Sequence, residues 1–148
     1  MSDSEPIIAL ENVYKIFGPN PRGRAFDLCS AGVGKDEVQR QTGHVVGMRD
    51  ISFEVQKGEI FVVMGLSGSG KSTAIRTVNK LHDVTHGRVL VEGTDVQQLR
   101  GAALQAFRRE KTAMVFQHFA LFPHRNVIDN TAYGLKVQGV DKKERHEA

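Results

Sequence analysis

Hydrophobic and polar positions change period several times along the 148 residues. Residues 7–17 are rich in β-branched and aromatic side chains with partial alternation, and Gly18-Pro19-Asn20-Pro21 breaks them, which predicts a strand closed by a turn. The next stretch, to His44, is polar and dotted with glycine. It predicts two short helices, at 25–31 and 35–41, and 18–44 reads as an insertion. Alternation resumes over 45–56, with Ile51, Phe53 and Val55 on one face, and Lys57-Gly58 turns the chain into the apolar run 60–64, a further strand. Ala74, Ile75, Val78 and Leu81 then recur at helical spacing while Arg76, Asn79 and Lys80 face away, and His86-Gly87 ends that helix. Residues 88–92 predict a strand and 97–110 a helix that buries Leu99, Leu104 and Phe107. The run 112–116 is continuously apolar, as in a strand covered on both faces. Asn126 caps a helix with Asp129 in its first turn and Ile128, Thr131, Ala132 and Leu135 along its inner stripe. Gly139 closes it, and Asp141 with Glu144 forms a capping box for another.

Between the strand at 60–64 and the helix after it stands Gly65-Leu66-Ser67-Gly68-Ser69-Gly70-Lys71-Ser72-Thr73. This is G-x-x-x-x-G-K-[ST] in the strand, loop and helix context that gives the motif its meaning. Backbone N–H groups of Gly65, Ser67, Gly68, Ser69 and Gly70, with the positive end of the new helix, make a cradle for a multiply charged anion. Phosphate is the natural occupant. Lys71 is placed to reach the β- and γ-phosphates, the Ser72 hydroxyl to meet Mg²⁺, and Thr73 to add a hydroxyl at the α-phosphate.

The predicted strand at 112–116 delivers Gln117 to its carboxyl end, the edge at which open α/β sheets hold ligands. After it, His118-Phe119-Ala120-Leu121-Phe122-Pro123-His124 carries two phenylalanines where a loop is ordinarily polar: a contact surface or part of the protein's own core. Neither histidine has a partner at metal-ligand spacing, so both read as surface or core groups. Phe17 offers either a core aromatic or a face for a planar base.

Composition narrows the function. With 25% charged residues and a net charge of +3, the basic groups are interspersed with acids, so no nucleic-acid stripe exists. No apolar run approaches a membrane span, and Met1-Ser2-Asp3-Ser4-Glu5-Pro6 lacks the features of a secretory leader, so a cytoplasmic location is expected. The single cysteine, Cys29, allows no internal disulfide and is read as inert.

Three passages, Tyr14-Lys15-Ile16-Phe17-Gly18, Gly58 through Thr73, and Ala113-Met114-Val115-Phe116-Gln117-His118-Phe119-Ala120-Leu121-Phe122-Pro123-His124, resemble the N-terminal half of an ATP-binding cassette (ABC) transporter ATPase. The inserted segment makes the likeness strongest with the glycine betaine/proline betaine importer branch. The resemblance implies an α/β P-loop NTPase of the ABC type, an antiparallel β subdomain joined to a RecA-like parallel core, with ATP and Mg²⁺ as cofactors. It assigns Phe17 to adenine stacking, Lys71 to the phosphates and to catalysis, and Ser72 to the metal. Gln117 becomes the Q-loop glutamine that touches Mg²⁺ and the attacking water. It also implies a second ATPase subunit as a homodimer partner, a membrane permease met by the segment after Gln117, and a solute-binding protein outside the cell. The protein would lie peripherally on the inner face of the cell membrane, with no nucleic acid involved.

Several family features are missing from 1–148. There is no Leu-Ser-Gly-Gly-Gln signature, no Asp-Glu strand of the Walker B type and no switch histidine, so the chain is expected to be the N-terminal part of a cassette. Such a chain is expected to bind nucleotide without turning it over alone, and to expose apolar surface and unpaired strand edges. A soluble cassette ATPase unrelated to transport, a small-molecule kinase and an inactive fragment remain alternatives at this stage. The transported solute, betaine, proline, choline or carnitine, is separated only by family likeness.

Overall fold

The computed structural model describes residues 5–116 and 121–147, and the chain divides into two compact units, 1–99 and 100–148. The first unit is built on β1 (Ile8–Phe17), β2 (Val45–Val55), β3 (His86–Val91) and the two-residue β4 (Thr94–Asp95), in the order β2-β1-β3-β4 with every pair antiparallel. β1 is central because its alternation is two-sided: Ala9, Leu10, Val13 and Ile16 are all buried. Its ladder with β2 slips at Asn12 and Asp50, both with positive φ, where Asn12 Nδ2 donates to Asp50 Oδ1 at 3.0 Å. Such bulges sharpen the twist of the pair.

The two helices expected within the insertion are present as α1 (Arg24–Ser30) and α2 (Lys35–Thr42). Ala25 and Cys29 of α1 and Val38 of α2 join Ile16 in a buried cluster flanked by Tyr14, Phe26, Leu28, Val33 and Val46. Burying four apolar side chains here ties the segment to the sheet. Cys29 is 1% exposed, a packing group. Thr85 adds a polar tie between strands: its hydroxyl accepts from Ile16 N at 2.9 Å, and Arg22 Nε donates to the Thr85 carbonyl at 3.0 Å.

The helix after the glycine-rich loop, α3 (Lys71–Val78), is shorter than its periodicity predicts, and its faces differ. Ala74 and Thr77 are buried, whereas Ile75 and Leu81 are exposed. Asn79 and Lys80, expected to face solvent, are buried instead. The helix stops at Val78, Lys80 takes a positive φ, and its Nζ donates to the carbonyls of Gln97 and Leu99 at 2.9 Å each. Leaving the helix thus turns a lysine inward to satisfy buried main chain, which no helical projection can show.

The runs at 60–64 and 112–116 are not strands among the described residues. Ile60, Met64 and Val115 are 91%, 85% and 97% exposed. A parallel strand covered on both faces needs neighbours for its N–H and C=O groups, and no ladder partner for either run exists among the described residues. The antiparallel part of the expected fold is therefore seen, and no parallel strand pair lies among the described residues. Phe61 alone of its run is anchored, its ring stacked on Phe53 at 4.7 Å.

In the second unit, α4 (Gly101–Glu110) buries Phe107, and three short helices follow, α5 (Val127–Thr131), α6 (Tyr133–Val137) and α7 (Lys142–Glu147). The expected cap forms at Asn126, which accepts from Asp129 N at 2.8 Å; Asp141 also caps its helix, but it accepts from Lys143 N at 2.8 Å rather than pairing with Glu144 as the expected box would. Of the predicted inner stripe, Ala132 is buried, Leu135 half-buried, and Ile128 and Thr131 exposed. Among the described residues no helix is long and apolar enough to cross a membrane.

Candidate functional site

The glycine-rich loop leaves the first unit's sheet after β2 and ends at Gly70, which adopts φ +94 and caps α3. Ser69 N donates back to the Leu66 carbonyl at 3.2 Å, closing a turn. The Lys71 ammonium folds over that turn and donates to the carbonyls of Gly65 at 2.8 Å and Leu66 at 2.7 Å, with Ser69 Oγ at 3.3 Å. Gly65, Ser67, Gly68 and Ser69 are exposed along the loop, Ser72 is exposed on the first turn of α3, and Thr73 is half-buried beside it.

Gly70 is confined on the side of the sheet. A β-carbon there would lie 2.2 Å from the Gly47 carbonyl oxygen in β2, and a β-carbon on Gly47 would lie 2.7 Å from Cε2 of Phe17. Phe17, Gly47 and Gly70 therefore form one contiguous contact, which brings the aromatic at the end of β1 to the loop. This link was not legible in the sequence, although the glycine interrupting the strand pattern at Gly47 was its visible trace.

Phe17 is half-buried, and its ring is in use: Lys15 Nζ lies 4.8 Å from its centroid and the His82 ring meets it edge-on at 5.4 Å. Burial pushes the His82 imidazole below its usual range, and the charges of Lys15 and Arg76 push the same way. Burial likewise lowers Lys15. Neither Lys15 nor His82 stood out in the sequence.

A cavity of about 660 Å³ runs beside the loop, lined by Gly68, Ser69, Gly70 and Lys71 on one side and by Gly47, Met48 and Arg49 of β2 on the other. Lys35, from α2, also lines it.

Gln117, His118 and Phe119 lie outside the described residues; Gly65 to Thr73 are contiguous in the chain, and Phe17 is linked to them through Gly47 and Gly70. Of the two phenylalanines read as a contact surface or as part of the protein's own core, Phe122 packs within the second unit, 4.6 Å from the Tyr133 ring, with the Arg125 guanidinium over both rings. His124 is exposed.

Sheet, loop and helix together define a fold of the ATP-binding-cassette type. The structure matches the dimeric post-hydrolysis state of the ATP-binding cassette MJ0796 bound to ADP and Pi with a TM-score of 0.74, over 95% of this chain and 53% of that one; at 24% identity this is a likeness of fold. Residues 48–148 match the family described as ABC transporter, and the chain belongs to that family. It is 47% identical over 95% of its length to the glycine betaine/proline betaine transport system ATP-binding protein ProV of Escherichia coli (strain K12). It is also 47% identical over 98% of its length to the glycine betaine transport ATP-binding protein OpuAA of Bacillus subtilis (strain 168), and 44% over 95% to the trimethylamine N-oxide transport system ATP-binding protein TmoW of Ruegeria pomeroyi. The chain covers 35% of each of the first two relatives and 41% of the third, so it spans well under half the length of these curated proteins.

Proposed function

We propose that this chain is the nucleotide-binding N-terminal part of the ATPase subunit of an importer for glycine betaine, proline betaine or a related small methylated amine. The observation that supports the reading is the contact of Phe17, Gly47 and Gly70, which brings an aromatic ring near the glycine-rich loop that Lys71 follows. ATP fits this arrangement part by part. Its adenine takes a face of Phe17, and its phosphate oxygens replace the three loop oxygens that Lys71 Nζ now holds. Thr73 adds a hydroxyl at the α-phosphate.

Mg²⁺ fits as a shared ion. Among the described residues no three His, Cys, Asp or Glu side chains gather to hold a metal, so Ser72 and, outside them, Gln117 would hold it together with phosphate oxygens. The metal would supply charge neutralisation at the phosphates. In the whole protein Gln117 would orient water while Lys71 holds the phosphates. A second ATPase subunit would complete the nucleotide site, and the membrane permease would meet the segment after Gln117. A solute-binding protein would deliver the amine. The protein would then sit in the cytoplasm against the inner face of the membrane. The names of the betaine and trimethylamine N-oxide relatives support the solute class.

Titration of the chain with a fluorescent adenine nucleotide and Mg²⁺ tests the reading. Saturable binding that Lys71→Ala abolishes and Phe17→Ala weakens is expected; binding indifferent to Lys71→Ala refutes it.

A further inference from the structure

We propose that Lys35, carried by the helical pair of the inserted segment, is an affinity-determining residue for the nucleotide, its ammonium meeting the polyphosphate beside Lys71; the inference rests on the nucleotide reading above. Lys35 and Arg49 line the same cavity as Gly68, Ser69, Gly70 and Lys71. Among the described residues that line the cavity, three are cationic and none carries a carboxylate. The acids next to Lys35 are directed elsewhere. Asp36 and Glu37 do not line the cavity, and the Glu37 carboxylate accepts hydrogen bonds from Arg40 and Gln41, which hold it down at about 2.

Lys35 itself is exposed, but the start of α2 that carries it is anchored. Val38, one turn further along α2, is fully buried against the sheet, and Arg49 Nη2 donates to the Val33 carbonyl two residues before Lys35. Arg49 thus acts as a positioning residue as well as a second cation. Met48, Phe53 and Phe61 supply apolar wall to the cavity, which lowers the local dielectric and strengthens any charge pairing inside it. ATP, ADP and AMP share base and sugar and differ in phosphate charge. A cation that meets the polyphosphate must therefore separate them, and one that only packs cannot.

The test is a titration of the full chain with Mg²⁺ and fluorescent ATP, ADP and AMP, comparing wild type, Lys35→Ala, Lys35→Arg and Lys71→Ala. Lys35→Ala is expected to weaken ATP about fivefold, the effect of one partly screened charge pair, to weaken ADP less and to leave AMP unchanged. Lys35→Arg is expected to retain wild-type affinities. Lys35→Ala with unchanged ATP affinity, while Lys71→Ala loses it, overturns this inference and leaves the nucleotide reading standing. An equal loss for all three nucleotides marks a structural effect and also overturns it. Absence of saturable binding by the wild type sinks both.

Discussion

The carbonyl oxygen of Gly47 stands 2.2 Å from where a β-carbon on Gly70 would be, so the start of β2 forms the floor of the loop that opens α3. Gly70 also holds φ +94, a conformation that costs an L-residue about 1–3 kcal/mol. The obstacle is main chain, so no rotamer change relieves it. Gly70→Ala is expected to lower the melting temperature and to abolish nucleotide binding. Gly47→Ala clashes with the movable ring of Phe17 and meets the Lys15 carbonyl oxygen at 3.4 Å, an ordinary contact, so it is expected to keep most of the stability while weakening adenine nucleotides more than inorganic pyrophosphate.

His82 makes the first unit sensitive to mild acid. Its folded pKa lies below the ordinary 6.5, through burial first and the charges of Lys15 and Arg76 after it. The unfolded chain therefore binds the proton more readily, and the stability contributed by neutral His82 is complete above pH 6.5 and is lost as pH falls toward the folded value. Denaturation midpoints between pH 5 and 8 are expected to fall on acidification in the wild type and less in His82→Gln. In Lys15→Met the His82 pKa, followed by NMR, is expected to rise, because one repelling charge has gone while burial remains.

Thr85 should be costly to replace by its isostere. Its buried hydroxyl accepts from Ile16 N, and Thr85→Val would leave that N–H without a partner. A loss of about 1–3 kcal/mol in unfolding free energy is expected, the cost of one orphaned buried donor, with hydrogen exchange at Ile16 speeded.

Asn130 holds the turn before α5 in the second unit. Its Nδ2 donates to the carbonyls of Phe122, Arg125 and Asn126, and its Oδ1 accepts from Phe122 N. Asn130→Ala is expected to release residues 122–126, read as faster amide exchange there and as loss of the Arg125 packing over Phe122 and Tyr133. Asn130→Asp keeps the acceptor and loses the donors, and is expected to fall in between.

Local chemistry announced a good part of this protein. Strands β1 and β2 follow from alternation, α1 and α2 from short polar helices set between glycines, and the caps at Asn126 and Asp141 from side chains that bond the next turn's amides. The phosphate loop is legible because its chemistry lies within nine consecutive residues. Periodicity failed where the next partner, not the segment, decides the outcome. Runs 60–64 and 112–116 have strand composition, but a ladder needs a neighbour, and the described residues offer none. Asn79 and Lys80 sit at solvent positions of an ideal helix, yet the helix ends before them and they turn inward.

By itself the amino-acid order determined the anion cradle, the family likeness and the sites of the short helices, all consequences of contacts within a few residues. The tertiary structure alone decided that Phe17, Gly47 and Gly70 touch, that His82 and Lys15 surround the aromatic ring, and that Lys35 reaches the loop's cavity. Lys15 and Phe17 are close on β1, but the other pairs are separated by many residues. The antiparallel register of β1 and β2 brings Phe17 to Gly47, and the burial of Val38 fixes the helix that carries Lys35.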